Sequence, residues 1–240
     1  IQTPSVEYAD IFNEDRWIVG AQELFKFFDR DNNMLVLRPD MTPAVARWVA
    51  KYFMDDDMPL RLCYLERTFK NNTSYQGYLT ERAESGAELI GDDSPDADAE
   101  MIAMVIDCLK AAGLKEFQVE LGEVAFYRSL LQQSGLDEDA KAQLNDLIEH
   151  KNRFGVEEFL KNQNMEESLK EAFLKLPELF GGINQIKKAK ALTDNPQALA
   201  AIERLERVHT LLADYHMADY VSYDLGMLSR YQYYTGIIFK

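Results

Sequence analysis

The chain reads as an α+β protein, an antiparallel sheet flanked by helices, with a helical insertion. Three observations point there. Strand patterns come in hairpin pairs, at Phe25 to Arg38 and Pro59 to Ile90. Strand–helix–strand alternations, the mark of a parallel sheet, are few. From about Leu136 to Leu205, charge becomes dense and apolar residues recur on a helical period.

In chain order, FKFFD (Phe25 to Asp29) and MLVLR (Met34 to Arg38) predict a hairpin, with Asp31, Asn32 and Asn33 supplying the turn. A helix is expected from Thr42, where Thr caps and Pro43 takes the first helical position. Its apolar face is Val45, Trp48, Val49 and Phe53. Pro59 to Phe69 and Thr80 to Ile90 are strand-like, joined by the polar loop NNTSYQG. Ser94 and Pro95 open a second capped helix, with acids in its first turn and Gly113 just past its end. Phe117 to Leu121 is a further strand. The helical stretch that follows is broken at Gly181 and Gly182, and strand patterns return at Val221 to Leu228 and Tyr233 to Phe239. The expected organisation is therefore a core in residues 1–135, a helical insertion in 136–205 and a return to the core in 206–240. Ile1 is not an initiator Met and Lys240 falls inside an apolar strand pattern, so the chain is expected to be part of a longer protein.

Composition narrows the classes. A chain of 240 residues holds one good-sized domain or a domain with an insertion. Hydrophobic residues at 47% and charged residues at 28% fit a soluble globular protein. No apolar run approaches the roughly 18 residues of a membrane span, and no signal peptide opens the chain. Cys63 and Cys108 fall in a predicted strand and a predicted helix and read as reduced, buried thiols, which implies the cytoplasm. Net charge is −15, from 41 acidic and 26 basic residues, and this opposes tRNA binding, which draws on Lys and Arg to neutralise phosphates. The one dense basic cluster, IKKAKA (Ile186 to Ala191), reads as a solvated helix face.

Chemistry concentrates in the strand Thr80 to Ile90. Side chains alternate along it, so Glu84, Gly86 and Glu88 share one face. Two carboxylates around a glycine suit a cation, and the glycine admits a close approach to the backbone. A solvated strand face gives the same alternation. A P-loop, G-x-G-x-x-G and H-E-x-x-H are absent from the sequence, and His150, His209 and His216 lie on helical segments without metal-ligand spacing. No metal or cofactor is expected.

Three blocks in order, LRPDMTPAVAR (Leu37 to Arg47), LERTFKNNTSYQGYLTERAESGAELIG (Leu65 to Gly91) and YYTGIIFK (Tyr233 to Lys240), carry a family resemblance. Together the chain resembles the catalytic core of histidyl-tRNA synthetase and that enzyme's non-synthetase relative, the regulatory subunit of ATP phosphoribosyltransferase. The resemblance implies the class II aminoacyl-tRNA synthetase core fold. It also implies that Glu88 meets an imidazole, that Glu84 falls where a glutamine contacts the substrate ammonium, that Asp40 and Thr42 hold the same ammonium, and that Tyr234 closes over the ring. Lys70 is then available for the carboxylate of histidine. A helix cap after a strand is the other reading of Asp40 and Thr42.

Several positions that handle ATP in the synthetases have changed. Lys70 stands where an arginine grips the α-phosphate, and an ammonium lacks the bidentate fork. Asn72 replaces an acid that contacts adenine, Thr73 replaces a loop arginine, and Arg82 replaces an aromatic. Where histidyl synthetases read RGLDYY, this chain reads SRYQYY and puts Ser229 at the α-phosphate arginine; Arg230 is one residue off and on a strand faces the other way. Activation of an amino acid needs cations on the charge developing at phosphorus. The resemblance therefore implies a non-catalytic subunit that takes histidine as effector, forms a homodimer within a hetero-oligomer and pairs with the catalytic ATP phosphoribosyltransferase subunit; the acidity and the lack of a long apolar run argue against tRNA and membrane. The alternatives are a divergent histidyl-tRNA synthetase fragment and a free-standing amino-acid-binding protein. The helical stretch is either a docking surface or an insertion packed on the core.

Overall fold

The structure is a computed structural model, and it describes residues 1–12, 22–72, 77–228 and 234–240. These residues form two compact units, 1–92 and 93–228 with 234–240.

The first unit begins with β1 (Val6–Tyr8), β2 (Lys26–Phe28) and β3 (Met34–Leu37), an antiparallel sheet in the order β1-β3-β2. The predicted hairpin is present, and Asp29 closes its turn by accepting the N–H groups of Asp31 and Asn33 at 2.9 and 2.8 Å. Asn32 takes the left-handed conformation there, φ 63°, which Asn tolerates better than most residues. Helix α1 (Thr42–Tyr52) buries Val45 and Val49 beneath Met41, with Trp48 and Phe53 at the edge of the cluster. That face packs on Leu60, Leu62, Tyr64 and Ile90. These belong to β4 (Leu60–Phe69) and β5 (Glu81–Ile90), which pair antiparallel from Leu60↔Ile90 to Phe69↔Glu81. The capping role expected of Thr42 is not observed. The helix starts at Thr42 itself, Met41 precedes it without a side-chain cap, and the Thr42 hydroxyl bonds elsewhere.

The second unit opens with α2 (Pro95–Ala111), capped as expected by Ser94, whose Oγ accepts the Ala97 N–H at 3.2 Å. Gly113 follows its end with φ +95°, a conformation open to glycine without strain. Next come β6 (Val119–Glu123), α3 (Val124–Gln133), α4 (Glu138–Glu149), α5 (Arg153–Lys161), α6 (Glu167–Lys175), β7 (Phe180–Gly181), α7 (Asn184–Lys190), α8 (Pro196–Asp214), β8 (Val221–Asp224) and β9 (Ile237–Phe239). The sheet runs β7-β8-β6-β9, antiparallel except for the β6–β8 pair. That pair is parallel because the whole helical stretch forms the crossover between its strands, and parallel neighbours require a long connection. The Gly-Gly break also contains a strand pairing, Gly181↔Tyr223. The core gathers Ile102 and Ile106 of α2, Leu121 of β6, Phe126 and Leu130 of α3, and Ile202, Leu205 and Val208 of α8. A long amphipathic helix such as α8 can serve two neighbours, and here it packs on both α2 and α3.

Both cysteines are free thiols, yet both are exposed rather than buried. Cys63 alternates with Leu62 and Tyr64 on β4 and so faces away from α1, and Cys108 lies off the Ile102–Ile106 stripe of α2. Among the described residues no helix is long and apolar enough to cross a membrane, and no group of His, Cys, Asp and Glu is placed to hold a metal.

Candidate functional site

Where β3 ends, Pro39 and Asp40 turn the chain into α1, and this turn brings Thr42 against β5. Thr42 Oγ1 donates to Glu88 Oε1 at 2.8 Å. Asp40 Oδ1 accepts the Thr42 N–H at 3.2 Å. Three residues that the sequence singled out therefore form one hydrogen-bonded group. Burial pushes the Glu88 carboxyl above the usual range; the Thr42 hydroxyl opposes this, and the negative charge of Asp40 adds to it.

Along the same face of β5 stand Gly86 and Glu84, opposite Tyr64 and Glu66 of β4. The Tyr64 ring lies across Gly86 so closely that a Cβ there would sit 2.3 Å from its Cζ and Oη. What approaches the Gly86 backbone is thus a phenol from the neighbouring strand. Glu66 pairs with Arg38 at 2.5 Å, and Arg38 is fully buried. Its guanidinium also donates to the carbonyls of Arg67 and Thr3, each at 2.7 Å, which ties the N-terminal segment, the end of β3 and β4 together. A buried charge persists only when its donors are satisfied in this way. The Glu84 side chain forms no hydrogen bond or ion pair among the described residues. Four carboxyl groups, Asp40, Glu66, Glu84 and Glu88, thus share this turn and strand face, and Arg38 answers only Glu66. The remainder carries excess negative charge and suits a ligand with more than one cationic or N–H donor group.

Within the first unit, Lys70, Asn72 and Arg82 lie at the far end of the β4–β5 ribbon from Glu88. Lys70 follows β4, and its N–H donates to the Thr80 carbonyl at 2.9 Å. At the rise of a strand this puts its backbone about 14 Å from that of Glu84 and about 27 Å from that of Glu88. The Asn72 amide donates to the Leu79 carbonyl at 3.1 Å, and Arg82 is exposed with its guanidinium 5.9 Å from the centre of the Tyr78 ring. Tyr234 belongs to the second unit, is exposed, and accepts a hydrogen bond from Arg128 at its carbonyl at 3.0 Å. Thr73 and Ser229 lie outside the described residues. Sequence reading missed Arg38, Tyr64 and Glu66. For Tyr64 and Glu66 the signal was the i, i+2 period of Leu62, Tyr64 and Glu66, which assigns a face only once the β4–β5 register is known; Arg38 had none.

The family described as histidyl-tRNA synthetase matches residues 1–240. The ATP phosphoribosyltransferase regulatory subunit of Acetivibrio thermocellus is 38% identical over all of this chain and 57% of its own length. A crystal structure of an ATP phosphoribosyltransferase regulatory subunit/histidyl-tRNA synthetase from Bacillus halodurans superposes with a TM-score of 0.90 at 35% identity, covering all of this chain and 62% of that one. A chain of the ATP phosphoribosyl transferase (HisG:HisZ) complex from Thermotoga maritima shares the fold, with a TM-score of 0.73 at 22% identity over all of this chain and 79% of that one. The chain thus spans less than two thirds of the first two relatives, and the architecture is the class II synthetase-like core.

Proposed function

The chain belongs to the histidyl-tRNA synthetase family, and we propose that it is part of a non-catalytic regulatory subunit of ATP phosphoribosyltransferase that binds histidine. The observation that carries this reading is the Asp40–Thr42–Glu88 group, with Glu84 on the same strand face. Histidine offers an ammonium and ring N–H groups, which are the donors that an acidic, partly desolvated cluster lacks. In this reading Glu88 takes the ring, and Asp40, Thr42 and Glu84 take the ammonium. The name of the relative from Acetivibrio thermocellus supports the regulatory role. The changes at Lys70, Asn72, Thr73, Arg82 and Ser229 remove groups that a synthetase uses on ATP.

The physical form of such regulation is allostery, in which histidine prefers one state of an assembly with the short-form catalytic subunit and shifts its population. The assembly is cytoplasmic, and the regulatory chain self-associates within it. Calorimetry on the full-length protein tests the reading. Histidine should bind saturably and in preference to leucine and glutamine, and the protein should not catalyse histidine-dependent pyrophosphate exchange. Equal or absent binding of the three amino acids rejects the site; robust exchange, free of host synthetase, rejects the regulatory role in favour of a divergent synthetase.

A further inference from the structure

A cavity of about 600 Å³ lies in the second unit, between the first turn of α2, the N-terminal half of α8 and the approach to β9. Pro95, Ala125 and Ala200 give it walls of short side chains, and Arg204 and Arg207 stand on its α8 side. Glu123 lines it and is 1% exposed. One carboxyl oxygen, Oε1, caps α3 by accepting the Ala125 N–H at 3.0 Å. The other, Oε2, is buried without a hydrogen-bond partner. A cap uses one oxygen, which Ser or Asn supplies equally well, so the fold does not account for the second. Buried polar atoms are nearly always satisfied, and this one calls for a donor.

The nearby arginines do not supply it. Arg204 is held by Asp98 at 2.7 Å and Asp93 at 3.1 Å, and Arg207 reaches only Asp96, at 4.0 Å. Asp93, Glu123 and Glu203 outnumber Arg204 and Arg207 along the lining, so the cavity favours a cation over an anion. We propose that it is a second ligand site, for a small organic ammonium compound whose N–H groups meet Glu123 Oε2 and whose apolar body lies against Pro95, Ala125 and Ala200. The site is independent of the histidine reading and lies within one unit of the chain. Burial pushes the Glu123 carboxyl up to about 7; the Ala125 N–H and Arg204 on α8 oppose the rise, and Asp98 on α2 adds to it. A bound ammonium favours the ionised carboxylate and so expels the proton.

The test is calorimetric titration of the full-length protein with n-butylammonium, in buffers of different ionisation heat. Tetramethylammonium, a cation without N–H groups, is the control. We expect saturable butylammonium binding with proton release at about pH 7 that vanishes at about pH 8.5, where the carboxyl is already ionised. Glu123→Gln keeps the cap acceptor, and it should weaken binding about tenfold or more and abolish the proton release. Ala200→Leu fills the cavity from an exposed position on α8 and should remove binding by itself. Absence of saturable binding, binding that survives both substitutions, or equal binding of tetramethylammonium overturns the proposal.

Discussion

Glu88 and Glu123 are both carboxyls that burial raises above their usual range, one in each unit. For Glu88 the consequence lies in binding. Glu88→Ala should weaken histidine by about 1.5–3 kcal/mol, since a buried ring donor loses its charged partner, and calorimetry on a variant of unchanged circular dichroism reads the loss. For Glu123 the consequence lies in stability. Its carboxyl rises from 4.5 to about 7 on folding, so the folded state holds the proton more tightly. The associated stability is fully present below about pH 4.5 and is lost as pH rises through about 7, a difference of about 3 kcal/mol. Glu123→Gln should remove that slope, so that in ligand-free urea unfolding the variant gains on the parent as pH rises from acid to neutral. Glu84, Gly86 and Glu88 were legible from alternation alone, because a two-residue period fixes which side chains share a face. Arg38 was not, since sequence does not show that a basic residue beside Pro39 turns inward to meet a carboxylate on another strand.

The β4–β5 ribbon sets the site at the scale of elements. Its ladder puts Tyr64 beside Gly86, and only the missing Cβ lets the ring lie there. Gly86→Ala should displace Tyr64 and cost about 1–3 kcal/mol of stability, read as a lower denaturant midpoint at unchanged slope. Arg38→Met should cost more, about 3–5 kcal/mol, because it leaves Glu66 without its buried partner. The strand pairs, the capped start of α2 and the helical character between Leu136 and Leu205 were readable from period and capping residues. The parallel β6–β8 pairing was not, because it joins segments about a hundred residues apart that nothing local connects. Thr42 misled for a specific reason: Thr before Pro signals a cap, and here a tertiary acceptor, Glu88, takes the hydroxyl instead.

On the proposed function, a subunit that binds histidine without activating it passes its signal on by contact with a catalytic partner. Size-exclusion chromatography with light scattering should show the full-length protein and the catalytic phosphoribosyltransferase subunit eluting together as one larger complex. A net charge of −15 also predicts no tight tRNA complex at physiological salt, which filter binding checks. The central claim, regulation by histidine through assembly, is tested most directly by assaying the catalytic subunit alone, with the full-length protein, and with that protein carrying Glu88→Ala, each with and without histidine. The partner should raise activity, histidine should lower the activity of the assembly, and Glu88→Ala should keep the activation while blunting the inhibition. Activity unchanged by mixing, or inhibition equal in the variant and the parent, would contradict it.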